Sequence, residues 1–142
     1  MQGTRRVKAL CIGADVYTHL DPLDEAVKDA RRMHRDLEGS SGCSSFLLAN
    51  PSTRQSMLDI LSSLAMDCQT KRPELMLVFY AGHAIQLSSG EIAMLTCDVV
   101  RPEMSEEQGW SVVTVADMLS AMAAGAENVE GLKYRASEIG QD

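Results

Sequence analysis

The hydrophobic positions of this chain fall into short continuous runs, separated by stretches in which apolar residues recur at helical steps. Val7 to Ile12 is the first run and is ended by Gly13; Ser44 to Leu48 is the second. The third, Leu75 to Tyr80, is the strongest: six consecutive apolar or aromatic residues, led in by Pro73-Glu74 and stopped by Ala81-Gly82. Runs of this length and composition are too short for buried helices and read as strands covered on both faces. Between the first two runs, Leu23, Ala26, Val27, Ala30, Met33 and Leu37 make one buried stripe at three- and four-residue steps. Asp21 is placed to cap that helix, and Pro22 suits its first position, where the missing N–H had no partner anyway. Gly39 is a good terminator. Ser52 with Gln55 three residues on has the form of a capping box. It opens a second helix that buries Met57, Ile60, Leu61, Leu64 and Cys68.

Beyond the third run, Gln86 to Gly90 reads as a polar turn and Ile92 to Leu95 as a short apolar strand. Arg101 to Gly109 is acidic and reads as an exposed loop. Thr114 can cap a third helix with Val115, Met118, Leu119 and Met122 turned inward, closed by Gly125. Residues 126–142 carry no apolar run and no clean period, and read as an irregular tail that is either frayed or in need of a partner.

The order strand–helix–strand–helix–strand predicts an α/β fold: a three-layer α/β/α sandwich with a mostly parallel sheet. Residues 1–125 form the domain and 126–142 the tail. The strands near 7–12, 44–48 and 75–80 are expected to be adjacent and parallel, covered by helices near 22–38 and 53–68. In such sheets chemistry sits just beyond the carboxyl ends of the strands, and His83 stands there, after the third run. A loop histidine bonded to a neighbour is the plain alternative.

Composition narrows the function classes. With 142 residues, 45% hydrophobic and 23% charged, the chain suits a single domain with one real core. A net charge of −7 and a pI near 4.9 argue against nucleic acid and anionic membrane as partners. The charge is uneven: residues 1–72 hold ten basic and nine acidic side chains, residues 73–142 three and eleven. No run has the length of a membrane span, and the N-terminus lacks the apolar core of a signal peptide. Cys11, Cys43, Cys68 and Cys97 show no CxxC pairing and no histidine at metal-ligand spacing. Free thiols, a cytoplasmic location, no metal and no cofactor are the expectation. Lys28, Arg31, Arg32 and Arg35 lie mostly off the first helix's stripe and read as a solvated basic face. The nine methionines fall mostly on buried stripes and read as core filling.

ALCIGADVY on the first strand, AVKDARRMHRDL on the first helix, LMLVFYAGHA around the histidine and EIAMLTCD after it resemble the large-subunit part of the caspase-like cysteine peptidases, the group of caspases, metacaspases and paracaspases. The resemblance spans roughly residues 6–124. It implies hydrolysis of peptide bonds by a Cys–His pair, with backbone N–H groups stabilising the oxyanion. His83 falls at the family's catalytic histidine. Ala84 stands at the next, oxyanion-hole position, where the family usually has glycine. Asp29 falls where metacaspase-like members hold an acidic residue in the pocket for the side chain before the cut, which implies cleavage after Lys or Arg. Animal-type caspases bind aspartate there through an arginine, at the position of Leu23. A surface carboxylate paired with Arg32 is the plain reading of Asp29.

One departure is large. The family's nucleophile follows the third helix, at the end of an apolar strand leading to Asp-x-Cys, and this chain has no such strand and no such cysteine. The fold is therefore expected to be incomplete at its C-terminus. The third strand would carry an open edge suited to homo- or hetero-association. Three functions follow: the histidine-bearing portion of an endopeptidase acting on peptide or protein substrates, an inactive caspase-like interaction module, or an unrelated flavodoxin-like ligand-binding domain. The segment GADVY is not a phosphate-binding glycine loop, which weighs against the third.

Overall fold

Among the described residues of a computed structural model the elements follow one another as β1 (Val7–Gly13), α1 (Ala26–Glu38), β2 (Cys43–Ala49), α2 (Arg54–Lys71), β3 (Leu75–Gln86), β4 (Ile92–Leu95), β5 (Val112–Thr114), α3 (Val115–Met122) and β6 (Lys133–Glu138). The structure describes residues 6–71, 73–99, 112–122 and 133–138, with 69–71 and 133–138 as backbone alone. The acidic stretch from Arg101 to Gly109 and the helix end at Gly125 lie outside the described residues.

The three apolar runs are adjacent parallel strands in the order β2-β1-β3, as their uninterrupted hydrophobicity predicts. Alternation sorts their side chains into two layers. Leu10, Ile12, Met76, Val78 and Tyr80 pack on one face against Met57, Leu61, Leu64 and Cys68 of α2 and Met118 and Met122 of α3. Cys11, Phe79 and Ala81 pack on the other face against Ala26 and Ala30 of α1. Each large side chain buried this way contributes on the order of 1.5–3 kcal/mol, which is why sheet and helices form together. The architecture is a three-layer α/β/α sandwich on a six-stranded mixed sheet. Lys8, within β1, is 6% exposed; its ammonium meets Asp67 of α2 at 2.9 Å and the Ser44 hydroxyl at 3.3 Å.

The second half of β3 departs from the expected pattern. The strand does not stop at Ala81-Gly82 but runs on through His83 to Gln86, because two further strands supply partners there. Phe79 to Ala81 pair with both β1 and β6, so those strands flank β3. Ala84 pairs with both β4 and β6, so β4 continues the β1 side. The edge of β3 expected to lie open is therefore covered from Phe79 to Ala84 by residues 133–138, a parallel strand within what the sequence presents as an irregular tail. Its sequence, KYRASE, has no apolar run because β6 stands at the margin of the sheet rather than between covered strands.

The helix starts are corrected as well. Asp21 and Pro22 precede α1, which begins at Ala26, so Leu23 lies outside the helix. The Asp15 carboxylate, from the loop after β1, accepts the Ala26 and Val27 N–H groups at 2.8 and 3.2 Å and serves as the cap. In α2 the capping pair is Thr53 with Ser56, each side chain bonded to the other's N–H at 3.0–3.1 Å, one residue later than Ser52 with Gln55. Thr114 does cap α3, reciprocally with Asp117. Leu119 is 40% exposed rather than inward. Among the described residues no helix is long and apolar enough to cross a membrane.

Candidate active site

His83 lies on β3 at the carboxyl edge of the parallel sheet, half-buried, two residues past the point where β1 stops pairing at Ala81. Its Nε2 is 3.0 Å from the carbonyl oxygen of Asp21. A carbonyl only accepts, so Nε2 carries the proton and neutral His83 keeps its lone pair on Nδ1. Nδ1 has no hydrogen-bond partner and no contact with solvent. The imidazole is thus anchored by one nitrogen and leaves the basic one unengaged.

The loop between β1 and α1 brings that carbonyl into place. Gly13 ends β1 where α1 comes closest: a Cβ there would stand 2.7 Å from Val27 Cα and 2.8 Å from the Ala26 carbonyl oxygen. The Ala14 N–H bonds the Ala81 carbonyl at 2.9 Å, and the Asn50 side-chain oxygen accepts from the Asp15 and Val16 N–H groups at 2.8 and 3.2 Å. Asn50 follows β2 with φ of 53°, a left-handed conformation that asparagine tolerates better than most side chains. Farther on, the Thr18 N–H bonds the Cys97 carbonyl at 3.0 Å, and the Leu23 N–H the Asp15 carbonyl at 2.9 Å.

Two tyrosines complete the surroundings. The Tyr17 ring lies 4.7 Å from the His83 ring at an interplanar angle of 55°. Its hydroxyl accepts the His83 N–H at 2.9 Å. The Tyr80 hydroxyl faces the carbonyls of His83 and Leu95 at 2.9 and 3.0 Å and lies 3.4 Å from the Tyr17 hydroxyl. Burial pushes Tyr17 up to about 12 and holds Tyr80 well above the usual phenol range, so both stay protonated at neutral pH. Both backbone groups of His83 face the β1–β4 side. Successive residues of a strand turn theirs to opposite edges, so the Ala84 N–H faces β6. Ala84 is 1% exposed, and its φ is not positive, so it carries no left-handed strain.

Asp29 sits lower on the same face, on α1. Its side chain is 17% exposed and lies 3.7 Å from the Arg32 guanidinium. It lines a shallow depression with Arg32, Met33, Asp36 and Phe79; Phe79 precedes His83 by four residues on the same side of β3. The structure thus sets Asp29 and His83 over one sheet face, with no hydrogen bond between them. Arg31, Arg32, Arg35 and Lys28 are solvated.

None of the four cysteines is a hydrogen-bond partner of His83. Cys11 is buried in β1 beside Ser45, and burial raises its thiol. Cys97 packs in the cluster that holds Tyr17 and is pushed up to about 11, by burial first and then by the Asp98 and Asp15 carboxylates. A thiol so disfavoured as thiolate is a poor nucleophile. The register partner of His83 on β6 is Ser137 and that of Ala84 is Glu138. Among the described residues no three His, Cys, Asp or Glu side chains group as a metal site.

The sequence reading reached His83 but missed its supports. Asp15 and Tyr17 carry no motif that marks a role in the sequence, and Asp21 reads as a cap, although the site uses only its backbone carbonyl. A signal for Asp15 exists: a carboxylate two residues after a strand, with no helix of its own to cap.

None of the curated proteins matches the chain. The model of the caspase domain matches residues 6–128, most of the chain and every element described from β1 to α3, and the chain belongs to the caspase domain family.

Proposed function

We propose that the chain is the histidine-bearing part of a caspase-like cysteine endopeptidase of the metacaspase-like kind, cytoplasmic and directed to basic residues, that lacks the nucleophilic cysteine. The observation that supports this best is the anchored imidazole: Nε2 on the Asp21 carbonyl and Nδ1 unengaged, at the edge where parallel α/β sheets hold their chemistry. In this reading Nδ1 takes the proton of the incoming thiol, and the thiolate attacks the scissile carbonyl. The imidazolium, held through Nε2–H, then gives that proton to the leaving amine. The Ala84 N–H faces the strand position next to β3 and is the oxyanion donor; alanine in place of glycine narrows the approach without straining the backbone. Asp29 receives the Lys or Arg side chain before the cut, a carboxylate binding a guanidinium through paired charged hydrogen bonds. Protein substrates follow from the family.

The chain by itself is inactive, since a base and an oxyanion donor cannot form an acyl-enzyme without a nucleophile, and such groups act as a unit. The test is turnover of basic and acidic peptide substrates by the purified 142-residue chain, which should be absent. Complementing the chain with a cysteine-bearing strand segment should yield cleavage after Lys or Arg that Asp29→Ala abolishes and His83→Ala eliminates. Cleavage by the chain alone that depends on His83 would sink this reading. So would labelling of Ser137 by a fluorophosphonate, which would move the nucleophile to β6.

A second reading, an inactive caspase-like interaction module, is favoured by β6 lying beside β3 in the present arrangement and by the buried Nδ1. A failure of every cysteine-bearing segment to restore cleavage, while still binding, would support it.

A further inference from the structure

We propose that Tyr17 is the positioning residue of His83, holding the imidazole in the Nε2–H state and fixing the peptide group on which it is mounted. The proposal rests on the reading of His83 as the catalytic base and assigns the part of the fold that prepares it. Tyr17 is 6% exposed, yet it makes two separate contacts with one residue: its ring packs against the imidazole and its hydroxyl takes the His83 backbone N–H. A core-filling aromatic needs neither. The ring contact restricts rotation of the imidazole about its last side-chain bond. A flipped ring would set Cε1 where Nε2 now meets the Asp21 carbonyl and move Nδ1 to the other side of the ring, so the anchor that selects the Nε2–H state would be lost. The hydroxyl contact fixes where β3 carries the ring, at a point where β1 has ended and offers no ladder partner on that side.

The proton directions make the unit explicit. The Tyr17 oxygen accepts from His83 N–H, so its own proton turns toward the Tyr80 oxygen, 3.4 Å away. The single Tyr80 proton is shared between the carbonyls of His83 and Leu95. Two buried phenols thus serve the N–H and the C=O of the same residue, and neither serves substrate. Gly82 belongs to this arrangement. A Cβ there would stand 2.5 Å from the Tyr80 hydroxyl and 2.9 Å from that of Tyr17, so the glycine before the histidine is the space the two hydroxyls occupy.

Nitrogen-15 and carbon-13 NMR of the His83 ring in the full 142-residue chain tests this, together with amide exchange at His83. The wild-type protein should show the Nε2–H tautomer; a mixed or Nδ1–H ring there removes His83 as the prepared base and with it the reading on which the proposal rests. Tyr17→Phe keeps the ring and deletes the hydroxyl. It should leave the tautomer in place and speed exchange of the His83 amide roughly tenfold, the factor that loss of one ordinary hydrogen bond gives. Tyr17→Leu removes the ring and should lower the Nε2–H preference by roughly the same factor, in keeping with the worth of an aromatic contact. A folded Tyr17→Leu protein with the wild-type tautomer ratio overturns the proposal, while leaving the wild-type tautomer and the reading of His83 intact. Should Tyr17→Leu not fold, unchanged His83 exchange in Tyr17→Phe overturns it instead. In an active complemented enzyme, either variant should lower kcat and leave KM in place.

Discussion

The two edges of β3 are held by different kinds of partner. On one side β1, the following loop and β4 contribute buried apolar strands, the Ala14 N–H and the Tyr17 hydroxyl, which with the hydroxyl of β3's own Tyr80 fills the gap between β1's end and β4. On the other side stands β6, six residues of which three are charged and none belongs to an apolar run. Its pairing with β3 starts at Phe79, beyond residues Leu75 to Val78. The first edge falls wholly within residues 6–128, and the second is made by residues beyond them. The difference separates two tasks. The β1 side holds His83 by its backbone and its ring, which in the proposed reading prepares it as the base. In the same reading the β6 side is where a nucleophile would be delivered against the Ala84 N–H, and β6, which pairs there in this chain, has the sequence KYRASE and no cysteine.

The largest effects should come from breaking the prepared edge. At Gly13 an added Cβ meets backbone atoms of α1 at 2.7 and 2.8 Å, which give way only if the helix moves. Gly13→Ala should cost about 3 kcal/mol or more, at the upper end of overpacking. At Gly82 the obstacles are the far ends of two side chains, the Tyr17 hydroxyl and the Tyr80 hydroxyl with the ring carbon that bears it, which can shift by giving up their bonds to His83 and Leu95. Gly82→Ala should cost somewhat less in urea unfolding, about 2 kcal/mol, and disturb the His83 amide signal. Equal losses at the two positions would contradict this account of Gly82.

Alkaline pH tests the same edge without substitution. Tyr17 is pushed from near 10 to about 12 and Cys97 from near 9 to about 11, both chiefly by burial. For such groups the folded state prefers the protonated form. The stability they contribute is complete below the unfolded values and is lost as pH rises through the folded ones. For Tyr17 a shift of that size corresponds to about 3 kcal/mol, lost between pH 10 and 12. Urea midpoints should therefore fall from pH 9 upward, and Tyr17→Phe should flatten the fall above pH 10. A decline equally steep in Tyr17→Phe would place the titrating burden on other groups.

What the sequence made legible, and what it did not, follows the same division. β1 and the first half of β3 could be read because strands covered on both faces must be continuously apolar; β2, an edge strand with Phe46 46% exposed, was marked only by its short FLL run. The stripes of α1 and α2 could be read because each helix buries one side. His83 could be read because it follows the strongest run. The continuation of β3 through Gly82 and His83 could not, since it depends on pairing with β4 and β6 rather than on local composition. The start of α1 was hidden because its cap, Asp15, lies 11 residues before Ala26. The role of Tyr17 was hidden because a loop tyrosine and a strand tyrosine acquire a joint task only when the fold sets their hydroxyls 3.4 Å apart. KYRASE gave no strand signal at all, and its place is fixed by the vacant edge it meets.

Removing that strand is the mildest change and the sharpest test of the comparison. Deletion of residues 133–142 takes away hydrogen bonds from one edge of β3, and solvent can replace most of them. Net stability should fall by only about 1–2 kcal/mol, the worth of one or two exchanged backbone bonds. The pattern of exchange matters more than its size. Ala81 turns its carbonyl to the Ala14 N–H and His83 its N–H to Tyr17, so the odd-numbered residues of this stretch face the β1 side. Alternation turns Tyr80, Gly82 and Ala84 toward β6. In the truncated chain the amides of Tyr80, Gly82 and Ala84 should lose protection against hydrogen exchange, while those of Phe79, Ala81 and His83 keep theirs. Loss at all six would mean that the β1 side does not hold His83 unaided. Loss at none would mean that β6 does not occupy this edge in solution, and a strand bearing the nucleophile could dock without displacing anything.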